Sequence, residues 1–265
     1  MIQYNQSYDC YEVKRMIEKF NTYITPFKLE RRVQVYLPKG YYESNERYPV
    51  IYMFDGHNLF FNQDATYGKS WGLQEFMDEY KTKMIIIGVE CNHVGNERLY
   101  EYLPYNVGPK YFFNTYMEGR GKTYMDWFTG EFKEEMDKKY RTLSDRSHTM
   151  IAGSSMGGLM SLYSIVKYNH IFKYAACLSS TIMLCMDELI RDIRQTDLNQ
   201  DTKIYMDFGG KEWETKIALK MHKEIEDELL KKNVSFKFYF EEKAEHCERD
   251  WEKRIPIYMK YLFEE

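Results

Sequence analysis

No stretch of this chain is rich in lysine or arginine, none is apolar for long enough to span a bilayer, and its cysteines show no paired spacing. Each absence removes a class of function. With a net charge of −4 and no basic run or stripe, nucleic acid and anionic membrane surfaces are poor candidates for the main partner. No window approaches the roughly 20 apolar residues a membrane helix needs. The opening Met1-Ile2-Gln3-Tyr4-Asn5-Gln6 is polar and lacks the apolar stretch of a secretion signal. The five cysteines, at 10, 91, 177, 185 and 247, are odd in number and include no Cys-x-x-Cys. Reduced thiols in a cytoplasmic protein are therefore expected, rather than a disulfide frame or a zinc site. No repeat, linker or low-complexity segment divides the chain, so residues 1–265 read as one domain.

At 44% hydrophobic and 29% charged, the composition is that of a globular protein with a full core. Residues 13–27 fit one long bent strand or a strand with a turn. Residues 32–37 alternate apolar and polar, the mark of a half-buried strand, as do 236–240. The runs 49–54, 84–89, 148–152, 174–179 and 203–208 are largely or continuously apolar, so they read as strands covered on both faces. Helical spacing marks 71–80, 123–140, 187–194, 215–232 and 251–263, the last despite Pro256. The long 91–120 segment has little periodicity, and a loop of that length in a compact domain is more often functional than idle. Strands alternating with helices predict an α/β fold with a mostly parallel sheet.

One stretch carries chemistry. Gly153-Ser154-Ser155-Met156-Gly157 fits Gly-x-Ser-x-Gly between an apolar strand and a buried helix. There a strand turns sharply into a helix and exposes the central serine on a strained apex. A serine hydroxyl needs a base, and histidine has the right pKa. Of the six histidines, His148, His170 and His222 read as partly exposed surface residues, and His93, in the long loop, is a weak candidate. His246, after the last alternating strand, stands where an α/β-hydrolase places its base. The base needs a carboxylate beyond the strand ending at Phe208. Spacing ranks Glu212 first, then Asp207, then Glu214. The oxyanion needs backbone donors, for which the N–H of Met156 and the N–H of His57 in Asp55-Gly56-His57-Asn58 are the choices.

These residues resemble the esterase D and feruloyl esterase group of the α/β-hydrolase superfamily. The matching segments are residues 50–60, Tyr67-Gly68-Lys69-Ser70-Trp71-Gly72, Tyr140-Arg141-Thr142-Leu143, residues 151–159, Gly209-Gly210-Lys211-Glu212, and His246 with Trp251 and Arg254. They run over most of the chain, and their combined order is far more specific than the pentapeptide. The resemblance implies a three-layer α/β-hydrolase fold and a serine carboxylesterase with Ser155, His246 and Glu212 as its triad. The family more often has aspartate at the acid position, and glycine before the histidine where this chain has Ala244-Glu245. No metal or organic cofactor is implied. The expected substrate is a small-molecule or carbohydrate ester, such as a short-chain acyl, feruloyl or acetyl sugar ester. Acyl transfer by the same triad and a silent, ligand-binding hydrolase fold are the rivals. Trp71 floors the acyl pocket or belongs to the core, and Arg98 anchors a substrate group or pins its loop to a carboxylate. Oligomeric state is left open, a homo-oligomer included.

Overall fold

The structure, a computed structural model, describes residues 16–109 and 116–264, so the polar opening stretch and Cys10 lie outside it. The described chain begins with a hairpin of β1 (Ile17–Ile24) and β2 (Leu29–Tyr36), paired antiparallel with Ile17 opposite Tyr36. Residues 13–15 lie outside the described residues; over the rest of 13–27 a strand followed by a turn is the reading realised. Phe27 N–H closes that turn on the Ile24 carbonyl, and Lys28 takes φ 55°. β2 starts three residues before the alternating run, because its first two residues are exposed and carry no apolar period.

Six further strands follow: β3 (Val50–Phe54), β4 (Ile85–Val89), β5 (Thr149–Ser154), β6 (Tyr174–Leu178), β7 (Lys203–Gly209) and β8 (Ser235–Glu241). The described strands form one sheet in the order β1-β2-β4-β3-β5-β6-β7-β8. β2 runs antiparallel to both neighbours, and β4 through β8 pair in parallel. The alternation of side chains along a strand sends them to two cores. Val50, Tyr52 and Phe54 enter one, and Ile51 and Met53 the other.

The first core is covered by α3 (Gly121–Trp127), α4 (Lys133–Lys139), α5 (Met156–Lys167), α6 (Met186–Gln195) and α7 (Thr215–Leu230). The second is covered by α1 (Leu73–Glu79), α8 (Glu248–Glu252) and α9 (Ile255–Phe263). A short α2 (Glu97–Glu101) lies in the long loop. Each Leu, Ile, Val or Met buried this way contributes roughly 1.5–3 kcal/mol. That explains why the continuously apolar runs became the central strands.

Two helices differ from expectation. The 123–140 helix is α3 and α4 joined by a π turn at Phe128–Phe132. Its buried row, Met125, Phe128, Phe132, Met136 and Tyr140, is spaced mostly by four residues. A regular helix would rotate that row off the sheet, and the wider π turn absorbs the drift. The C-terminal helix is two helices, α8 and α9, with Pro256 in the first turn of the second. Proline lacks the N–H that a helix interior must donate, so it starts a helix rather than continuing one. No helix among the described residues is long and apolar enough to cross a membrane.

Candidate active site

Ser155 stands between β5 and α5 with φ 59° and ψ −120°. This backbone region is costly for a residue with a side chain and persists only when its surroundings impose it. Ser155 N–H donates to the Leu178 carbonyl on β6 at 2.9 Å, and its carbonyl accepts from Leu159 at 3.0 Å. A Cβ on Gly153 would lie 2.7 Å from the Gly157 backbone, and one on Gly158 would lie 2.6 Å from the Leu178 carbonyl. The glycines therefore let the turn close and the helix lie against the sheet. Met156 is the first residue of α5, so its N–H has no acceptor within the helix.

The strain is shared. Asp55 (φ 56°), Ser155 and Ser179 (φ 45°) are the residues that directly follow the adjacent strands β3, β5 and β6. Asp55 opens the short turn that carries His57. A Cβ on Gly56 would collide with the Gly88 carbonyl, so only glycine lets this turn rest on β4. His57 N–H donates to no described protein group, and its ring is buried, with Nε2 2.9 Å from Thr66 Oγ1. Burial lowers the pKa of that imidazole, against the pull of Asp55.

Arg98 takes the pinning role. Its Nε and Nη2 each donate to one oxygen of the Asp55 carboxylate at 2.7 Å, a bidentate clamp of the long loop onto the 55–58 turn. Burial alone would raise the Asp55 pKa, but Arg98 outweighs it and holds the carboxyl below its ordinary value. Trp71 is 2% exposed and packs its ring 5.8 Å from that of Trp251. Of its two readings, pocket floor or core, the packing is that of a core residue.

Glu212 and His246 are joined directly, His246 Nδ1 lying 2.8 Å from Glu212 Oε2. The second oxygen, Oε1, accepts from Gly209 N–H and Ser179 Oγ, each at 2.7 Å. The two loops behave as one unit, since Gly210 N–H donates to the Glu241 carbonyl and Lys211 N–H to that of Ala244. The Ala244-Glu245 departure from the family pattern therefore leaves the loop tied down. His246 lies with its ring centroid 4.0 Å from Trp213 and edge-on to Trp251 at 4.9 Å. No hydrogen bond joins Ser155 Oγ to His246, and such bonds are commonly long before substrate binds.

The rival carboxylates lie elsewhere. Asp207 is fully buried and pairs with Arg254 Nη1 at 2.6 Å, while burial pushes its pKa up to about 6. Glu214 is exposed at the N-cap position of α7, where its side chain makes no capping hydrogen bond. Among the other histidines, His148 is partly exposed beside Asp145 and His170 is exposed, both at the surface as expected. His222 is a correction. It is 1% exposed, between Phe208 and Phe238, and burial lowers its pKa to about 4. It sits on the inner face of α7, one turn after Ala218, whose carbonyl it accompanies at 2.8 Å.

The model of the "Putative esterase" family matches residues 25–259. The chain belongs to that family. Membership places it among the carboxylic-ester hydrolases, and its fold is that of the α/β-hydrolases. It is 25% identical over 193 residues to the uncharacterized protein YbbA of Bacillus subtilis, covering 72% of this chain and 73% of that one. An IroE-like serine hydrolase from Shewanella oneidensis superposes with a TM-score of 0.76 at 18% identity, over 93% of this chain and 80% of the other. A ferulic acid esterase superposes at 0.67 and 18% identity, over 93% and 96%.

Two residues of this esterase escaped the sequence reading. Ser179 donates to Glu212 and accepts from Trp251 Nε1 at 2.9 Å, yet a serine at a strand end carries no special signal. Trp213 follows Glu212 directly, and an aromatic beside the chosen acid was the available clue.

Proposed function

We propose that this esterase cleaves carboxylic esters through Ser155, His246 and Glu212, with the N–H groups of Met156 and His57 holding the oxyanion. The observation that carries the reading is the 2.8 Å contact of Glu212 with His246 Nδ1, on the same strand-end rim as the strained Ser155. Glu212 fixes the tautomer in which Nδ1 holds a proton, leaving Nε2 to act as base. Ser155 Oγ attacks the ester carbonyl carbon while Nε2 takes its proton. The carbonyl π pair moves to oxygen, toward the two N–H donors. Collapse breaks the bond to the leaving alcohol, which receives the proton from His246. Water then attacks the acyl-serine, giving its proton to Nε2, and release of the acid restores Ser155.

The substrate class is a short-chain acyl ester or a feruloyl or acetyl ester of a sugar. Trp213, 42% exposed beside His246, offers a face on which an aromatic acid or a sugar ring can stack. The reaction asks for no organic cofactor. The domain is taken as residues 1–265 and its compartment as the cytoplasm, with free thiols at Cys91, Cys177, Cys185 and Cys247 supporting a reducing location.

Ser155→Ala should lower p-nitrophenyl acetate turnover by roughly 10⁴-fold or more and abolish labelling by a fluorophosphonate probe, with the thermal midpoint preserved. Wild-type turnover by the folded variant would remove Ser155 from the mechanism.

A further inference from the structure

On the 55–58 turn, His57 meets Cys91 and His93, a pair that lies far along the chain from it. One ligand atom each from His57, Cys91 and His93 lies within 4.8 Å of the other two. Imidazole and thiolate are the donor types that select zinc-like cations over magnesium or calcium.

The detail of the cluster points the same way. His57 is 3% exposed, and its Nδ1 has no hydrogen-bond partner among the described residues. Such an orphaned buried nitrogen is unfavourable, and a coordinated ion would offset that cost. Its Nε2 meanwhile lies against Thr66 Oγ1 at 2.9 Å. His93 repeats the arrangement, with Nδ1 3.9 Å from Cys91 Sγ and Nε2 3.6 Å from Glu90 Oε2. Metal-binding histidines characteristically present one nitrogen to the ion and rest the other on an oxygen. The nearby Arg98 does not repel a cation strongly, because its charge is paired with the Asp55 carboxylate.

We propose that His57 Nδ1, Cys91 Sγ and His93 Nδ1 form a binding site for a thiophilic divalent cation of the zinc class. Thr66 and Glu90 support the two imidazoles from behind. Three protein ligands leave a fourth position for water. Tetrahedral ligands around zinc stand about 3.5 Å apart, so the cluster must contract slightly. His93, whose side chain is 54% exposed, is free to make that movement and opens the way in. Coordination forms one metal–thiolate bond and releases the Cys91 proton to solvent. The site is absent from the sequence expectation because 34 residues (91 − 57) separate His57 from Cys91, and only the pairing of β3 with β4 brings them together. The proposal does not rest on the esterase mechanism.

The test is titration of zinc chloride into metal-stripped full-length protein against a colorimetric chelator, repeated with cobalt(II). One equivalent should bind, and the cobalt complex should show a thiolate-to-metal charge-transfer band. Cys91→Ser should remove the band and weaken zinc binding about a hundredfold, and His93→Gln should weaken it about tenfold or more. Cys247→Ser should change neither. Absence of saturable binding, or binding indifferent to both Cys91→Ser and His93→Gln, would overturn the site. His93 is exposed, so its variant keeps the test decisive if Cys91→Ser does not fold.

Discussion

In the corner formed by the 209–212 turn and the 244–251 loop, the Glu212 carboxylate meets a ring nitrogen, a hydroxyl and a backbone N–H. In the corner formed by residues 55–58 and 91–98, a buried ring nitrogen has no hydrogen-bond partner among the described residues, and the Arg98–Asp55 ion pair and the His57–His93 ring contact carry the attachment. The first corner holds the His246 ring in one orientation, which the proposed proton transfer requires. In the proposed mechanism the second has only to present a backbone N–H, which leaves its side chains free for other work. Preorganisation at one site can thus be supplied by a saturated network on one side and by backbone strain on the other.

The contrast can be broken by substitution. The largest effect is expected in the saturated corner. Glu212→Gln keeps an oxygen for Gly209 N–H but turns an amide N–H toward His246 Nδ1, favouring the wrong tautomer. Turnover of p-nitrophenyl acetate should fall about 10³- to 10⁴-fold with little change in thermal midpoint. A loss smaller than tenfold would mean that the network orients nothing that matters. Next comes the single clamp of the other corner. Arg98→Met keeps the stem but leaves the buried Asp55 carboxylate uncompensated. Urea unfolding should show a loss of about 3 kcal/mol, the low end for a buried pair because Arg98 is partly exposed. An unchanged midpoint would show that strain alone holds the turn.

The smallest effect lies beneath the saturated corner and depends on pH. The folded pKa of His222, lowered to about 4, is below its unfolded value, so the unfolded chain binds the proton first as pH falls. The neutral ring's contribution is intact above its unfolded pKa of about 6.5 and is lost progressively as pH drops toward the folded value. Between pH 7 and pH 5 this amounts to about 2 kcal/mol. His222→Leu should flatten the stability profile over that interval, measured by urea unfolding, and an unaltered slope would assign the acid sensitivity elsewhere.

Much of this was legible in the chain. The central strands announced themselves because burial on both faces demands continuous apolar runs, as at 49–54 and 84–89. In the sequence, Glu212 stands above Asp207 as the candidate acid because a loop residue can reach across while a strand residue points into a layer, and Asp207 does so, pairing with Arg254. What stayed hidden depended on tertiary contacts. The burial of His222 follows from which face of α7 meets β7 and β8, and an isolated histidine in an amphipathic helix gives no sign of it. The π turn at Phe128–Phe132 was visible only as a spacing of fours within an otherwise ordinary helical pattern.

Trp213 has a practical consequence. Trp71, Trp127 and Trp251 are each less than 5% exposed, whereas Trp213 is 42% exposed with its indole against His246. The protein therefore carries its own optical label at the rim of the site. Iodide should quench that one indole selectively, and its emission should respond when a ligand covers the ring or the neighbouring imidazole takes up charge, so occupancy can be followed without a dye.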